Sequence, residues 1–146
     1  MAERVWSGPD PDDITAWALV QAGHVVSRRF ATAYAEFGLT PAQFGVLLLL
    51  DVEPGLSGGE MARRVFMSPQ SMSELMSSLN QKGLITRDGT ATRGQRIATH
   101  ITARGAELLT RAATVIDQVN GDAALRLTRS ESVTLNRLLH KIIDTD

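Results

Sequence analysis

The sequence predicts a mainly α-helical chain with one small β-hairpin, and three observations predict it. Helix-start signals recur, in which a Ser or Thr stands three residues ahead of Gln or Glu, or directly ahead of Pro. Apolar residues follow helical spacing over most of the rest of the chain. After Gly83 the pattern changes to short alternating runs, 84–87 and 97–101, separated by a polar stretch containing glycine.

Taken in order, the segment from about 13 to 37 carries Ile14, Trp17, Ala18, Val25, Phe30, Tyr34 and Phe37. They allow a helix without one clean apolar face, the pattern of a helix covered on several sides. Thr40, Pro41 and Gln43 start a helix over 41–52, with Leu39 and Phe44 placed as a hydrophobic staple across its entry. Ser57 and Glu60 start a brief one over about 58–65, stapled by Leu56 and Met61. Ser68 and Pro69 open a third over 69–82, stapled by Met67 and Met72 and closed by Gly83. The two alternating runs that follow read as a hairpin with a long, basic tip. Thr102 starts a further helix, a break falls near Asn120 and Gly121, and Thr128 with Glu131 starts the last. The apolar side of that last helix is Leu135, Leu138, Leu139, Ile142 and Ile143. With 146 residues, no internal repeat and no low-complexity linker, one domain over 1–146 is expected.

Composition removes several classes of function. There is no cysteine, so disulfides, thiolate metal sites and thiol redox switches are absent. The first thirteen residues hold four acids and one arginine, unlike a signal or transit peptide. The longest apolar run, 44–50, is far shorter than the roughly 18 residues of a membrane span. A cytoplasmic protein without membrane attachment is predicted. The net charge of −1 hides an asymmetry: residues 1–60 carry eight acids against three arginines, whereas 61–146 carry twelve basic residues against eight acids. Within 82–104, Lys82, Arg87, Arg93, Arg96 and Arg104 face Asp88 alone. Such a patch suits phosphates, or is simply a solvated basic face.

Three helices in quick succession followed by a basic hairpin give the order of a winged helix-turn-helix. On the 69–82 helix, Met72, Leu75, Met76 and Leu79 share one side. Gln70, Ser73, Glu74, Ser77 and Gln81 lie opposite. Gln pairs bidentately with adenine, Glu accepts from cytosine N4 and Ser adapts to either, so the free face matches major-groove chemistry; a polar helix face is also often merely solvated. The DNA-contact set is Ser68, Gln70, Ser71, Ser73, Glu74 and Ser77 on the helix with Arg87, Arg93 and Arg96 on the hairpin. The arginines suit phosphates or a narrowed minor groove, and Ser68 with the first helical amides suits a phosphate or serves only as a cap.

Along nearly its whole length the chain resembles the MarR family of winged-helix transcriptional regulators. LTPAQFGVLLLL (39–50) is similar to the family's second helix, and SPQSMSEL (68–75) with Leu79 and KGLITR (82–87) to its recognition helix and first wing strand. ITARGAEL (101–108) resembles the second wing strand entering a dimer helix, and LTRSE (127–131) the start of the last helix. The resemblance implies a DNA-binding lobe over about 38–101 and dimerisation helices over about 10–37 and 102–146. It also implies a two-fold homodimer on a palindromic operator, with recognition helices about 34 Å apart. It further implies a repressor released by a small aromatic or phenolic ligand bound between the dimer helices and the lobe. Where many members have Asp and, two residues on, Arg in the wing, this chain has Arg93 and Gln95, then Arg96.

For that ligand, Trp17, His24 and Arg28 are the candidates, since spacings of seven and four place them near one another on a helix; dimer packing or a surface ion pair would use them equally well. His24, His100 and His140 lie far apart and form no short-spaced metal pair, so no metal or cofactor is expected. Met61, Met67, Met72 and Met76 fall on staple and core positions and read as core filling. No nucleophile stands with a base in view, so a regulator rather than an enzyme is predicted. The rival is a helical dimeric adaptor that keeps the winged shape and binds protein through its acidic N-terminal part.

Overall fold

The computed structural model describes residues 5–89 and 96–144. A single 3₁₀ turn, Pro11–Asp13, precedes α1, Thr15–Ala35. There follow α2 (Pro41–Val52), α3 (Gly58–Arg64), α4 (Pro69–Gln81), β1 (Ile85–Arg87), β2 (Thr99–Ile101) and α5 (Ala103–Ala112). After a 3₁₀ turn at Ala113–Val115 come α6 (Ile116–Asn120), α7 (Asp122–Leu125) and α8 (Arg129–Ile143).

The helix starts are built as the sequence specifies. Thr40, Ser57 and Thr128 each form a reciprocal capping box with Gln43, Glu60 and Glu131, satisfying two orphan amides apiece. Ser68 and Thr102 cap α4 and α5 through their hydroxyls. One expectation is only partly met: the helix begun at Thr102 does not run unbroken to Asn120 but tightens to 3₁₀ after Ala112, where the β-branched Thr114, Val115 and Ile116 crowd the helical turn. The predicted break at Gly121 is present, with an extended backbone between α6 and α7.

One apolar core runs from Tyr34 at the end of α1, through Leu47 and Leu50 of α2, Met61 of α3 and Met72, Met76 and Leu79 of α4, to Leu109 and Val115. Phe30, Tyr34 and Phe44 stack in sequence and fasten α1 to α2. Three of the four expected core methionines are buried, and Met67 packs against the same cluster. The two strands are antiparallel, with Ile85 opposite Ile101 and Arg87 opposite Thr99. The other edge of β2 is covered by the α2–α3 loop, where the Thr99 amide donates to Leu56 O and the Gly55 amide to Thr99 O, both at 3.0 Å. No helix among the described residues is long and apolar enough to cross a membrane.

Candidate nucleic-acid interface

The outward face of α4 is positioned by contacts at both ends and at its middle. Ser68 Oγ accepts from the Ser71 amide at 3.1 Å and donates to Ser71 Oγ at 2.9 Å, so these two side chains are already engaged with each other. At the far end the Gly83 amide reaches Asn80 O and the Leu84 amide Leu79 O, a Schellman closure that needs the positive φ of +69° that glycine adopts freely. Thr102 Oγ1 donates to Gly83 O at 2.7 Å while capping α5, tying the hairpin exit to this closure. In the middle, Gln43 of α2 is only 6% exposed, and its side-chain amide donates to Ser78 Oγ at 3.1 Å. Lys82 Nζ donates to Gly38 O at 2.7 Å and to Gln43 Oε1 at 3.3 Å. Met72, Met76 and Leu79 point into the core, whereas Gln70, Ser71, Ser73, Glu74, Ser77 and Gln81 are all exposed. The helix therefore presents a polar surface from a fixed mount.

The hairpin arginines fall into different situations. Arg87 ends β1 and is exposed. Arg96 is held against α3, with Nε 3.2 Å and one terminal nitrogen 2.9 Å from Glu60 Oε2. That same oxygen accepts from the Ser57 amide at 2.7 Å. Glu60 is thus both the capping residue of α3 and the anchor of Arg96, and its pKa is lowered to about 2, chiefly by the hydrogen bonds from Ser57 and then by Arg96. Arg93, with Gly94 and Gln95, lies outside the described residues. His100 Nε2 is 2.9 Å from Asp88 Oδ2 and half-exposed, an ion pair only when the imidazole is protonated. On α3, Arg64 pairs with Glu53 through both terminal guanidinium nitrogens, and Glu53 is held below the usual carboxylate range by that contact. Its neighbour Arg63 is exposed and forms no ion pair among the described residues. Sequence reasoning read Gln43 and Glu60 only as helix-start partners and did not single out Arg63: the further contacts of the first two lie 35 and 36 positions away, and an exposed helical arginine carries no local signal.

The three ligand candidates of α1 are not gathered within one chain. Trp17 lines a shallow apolar hollow with Trp6, Pro11 and Ile14. Arg28 lines a separate, mixed polar and apolar hollow with Val25, Thr32, Glu36 and Val119, and His24, exposed, lines neither. Among the described residues no group of His, Asp and Glu side chains is arranged to hold a metal. The terminal helices leave much apolar surface open, and α8 buries no residue at all.

A clamped helix with a polar outward face, followed by an arginine-bearing two-stranded hairpin, defines the winged helix-turn-helix class of DNA-binding regulators. Residues 37–96 match the model of the MarR family. The HTH-type transcriptional repressor Rv2887 of Mycobacterium tuberculosis is 30% identical over 126 residues, 86% of this chain and 91% of its own length. The crystal structure of Rv2887 with salicylic acid superposes with a TM-score of 0.71 at 28% identity, covering 94% of this chain and 99% of that one. The transcriptional repressor CouR bound to a 23-mer DNA duplex gives 0.80 at 28% identity, again over 94% and 99%. The chain belongs to the MarR family of transcriptional regulators.

Proposed function

We propose that this protein is a cytoplasmic, homodimeric repressor that reads a palindromic operator through α4 and is released by a small aromatic or phenolic ligand, without catalytic activity of its own. In this reading 1–146 is one domain, with 38–101 as the DNA-reading lobe and 10–37 and 102–146 joining two copies. The observation that carries it is the exposed Gln70–Ser73–Glu74–Ser77 surface on a helix whose opposite face and both ends are fixed. Gln70 suits an adenine and Glu74 a cytosine N4, with Ser71, Ser73 and Ser77 adapting to neighbouring edges. Ser68 and the first amides of α4 take a phosphate, as do Arg87 and Arg93 from the hairpin. Arg96 reaches a phosphate only by leaving Glu60, so its part is to fix the start of β2 against α3. The open apolar face of α8 supports pairing with a second copy. Trp17, His24 and Arg28, apart in one chain, supply the ligand site once the partner's helices cover α1. CouR bound to DNA and Rv2887 bound to salicylic acid support both halves of the reading.

Selection of duplexes from a random double-stranded library at near-physiological salt tests it. Enrichment of an inverted repeat with half-sites one helical turn apart is expected. A folded dimer that enriches nothing would refute operator reading and favour a protein-binding adaptor.

A further inference from the structure

Three turns in the lobe share one backbone design. After α1, the Gly38 amide donates to Ala35 O and the Leu39 amide to Tyr34 O; after α4, Gly83 and Leu84 do the same to Asn80 and Leu79. After α3, the Phe66 amide reaches Arg63 O at 3.5 Å and the Met67 amide Ala62 O at 2.9 Å. All three closing residues have positive φ: +65° at Gly38, +69° at Gly83 and +53° at Phe66. Two of the three seats hold glycine, the residue without a Cβ to strain there, and the third holds a bulky aromatic. Among the described residues no side-chain packing offsets that strain, because Phe66 is 66% exposed and does not join the core or any aromatic stack.

The position of the strain is informative. Phe66 lies in the turn of the helix-turn-helix, two residues ahead of Ser68, the cap of α4. In this class the first helix crosses the sugar–phosphate backbone while the second enters the groove by its N-terminal end, so the turn between them lies beside the backbone strand. Exposed Arg63 stands three residues before it, and the free amide at the start of α4, that of Gln70, stands four residues after it, Pro69 having no N–H and the Ser71 amide being capped by Ser68. We infer that Phe66 is a DNA contact, its ring packing on the deoxyriboses between a phosphate held by Arg63 and a phosphate held by the N-terminus of α4. The inference rests on the DNA-binding reading above. Backbone strain retained by an exposed side chain at a functional turn is then explained by what the ring gains on binding. Since the contact is apolar and lies ahead of the base-reading positions, it acts on every sequence alike and releases no counterion.

Phe66→Gly removes ring and strain together, whereas Phe66→Ala removes the ring but keeps a Cβ in the left-handed backbone. Each full-length variant is compared with wild type in thermal unfolding and in binding to the selected operator and to unrelated duplex over a salt series. Phe66→Gly is expected to raise Tm by about 2–4 °C, and Phe66→Ala to leave it unraised. Both should bind operator and unrelated duplex about tenfold more weakly, with an unchanged salt slope. Wild-type affinity in either variant would overturn the contact, as would a loss confined to particular base pairs. A fall in Tm on Phe66→Gly would also overturn it, by showing the ring buried against protein in the assembled state. Failure of the wild-type protein to bind any duplex would instead overturn the DNA-binding reading itself.

Discussion

The winged-helix lobe and the terminal helices follow the same apolar patterning but dispose of it in opposite ways. In the lobe, Val46, Leu47, Leu50, Met61 and Leu79 are fully buried, and the outside is mostly polar, with Leu48, Val52 and Phe66 as exposed apolar residues. On α8, Leu135, Leu138 and Ile142 recur at helical spacing, yet Leu138 remains 44% and Ile142 55% exposed. α1 contains both regimes, with Tyr34 completely buried near its end and Trp17 and Val20 about half exposed near its start. A helix with a clean apolar stripe has a partner, and for α8 that partner is not in the same chain. The lobe carries its own core, and in the proposed reading the ends are completed by a second copy.

The most severe way to break this contrast is to charge the open stripe. Leu138→Asp combined with Ile142→Asp should give a monomer by sedimentation while circular dichroism retains the helical signal of the lobe. Operator affinity should fall by about 100-fold or more, because the second half-site is no longer held at high effective concentration. A variant still dimeric would mean that the stripe is covered by something other than its copy. Inside the lobe the contrast predicts intolerance to a single methyl. A Cβ built on Gly105 of α5 would stand 2.2 Å from Leu84 O and 2.8 Å from Ile101 Cγ1, against backbone and strand that cannot yield cheaply. Gly105→Ala is expected to destabilise by about 1–3 kcal/mol in chemical denaturation. An unchanged midpoint would show that the junction of hairpin and α5 is looser than the core beside it.

What was legible in the sequence was local. The starts at Thr40, Ser57 and Thr128 were readable because the cap and its Gln or Glu partner lie three residues apart, and the inward face of α4 because its period is set by the helix itself. The outcome at Arg96 was not readable, since its partner Glu60 lies 36 positions away and is already committed to a local role as a cap. The 3₁₀ interruption after Ala112 carried only the faint signal of a β-branched run. Trp17, His24 and Arg28 follow helical spacing as read, but spacing on one helix does not say that a cavity faces all three.

A smaller effect separates the two hairpin arginines. Each phosphate contact releases about one counterion and the substitution removes one contact from each protomer, so Arg87→Ala should flatten the slope of log affinity of the dimer against log salt by about 1.8. Arg96→Ala should weaken binding with the slope kept, because the lost contact is to Glu60. Equal flattening in both would place Arg96 on a phosphate in the complex and remove its anchoring role.

The smallest expected effect compares the lobe and α8 through the same motif. Glu60 and Glu131 each accept the capping amide, of Ser57 and Thr128, at 2.7 Å, and both carboxyls are held below their ordinary range by those hydrogen bonds. Only Glu60 also receives Arg96, and it lies at about 2 against an ordinary 4.5. A carboxyl whose folded pKa is below its unfolded one binds fewer protons when folded, so its contribution is complete above pH 4.5 and is lost as pH falls from there through about 2. Gln at the same position keeps the reciprocal cap but does not titrate. Glu60→Gln should therefore remove more of the acid-range loss of stability than Glu131→Gln, read as denaturation midpoints across that window. The excess measures the Arg96 contact, and equal flattening by the two substitutions would mean that the hairpin is not pinned to α3 in solution.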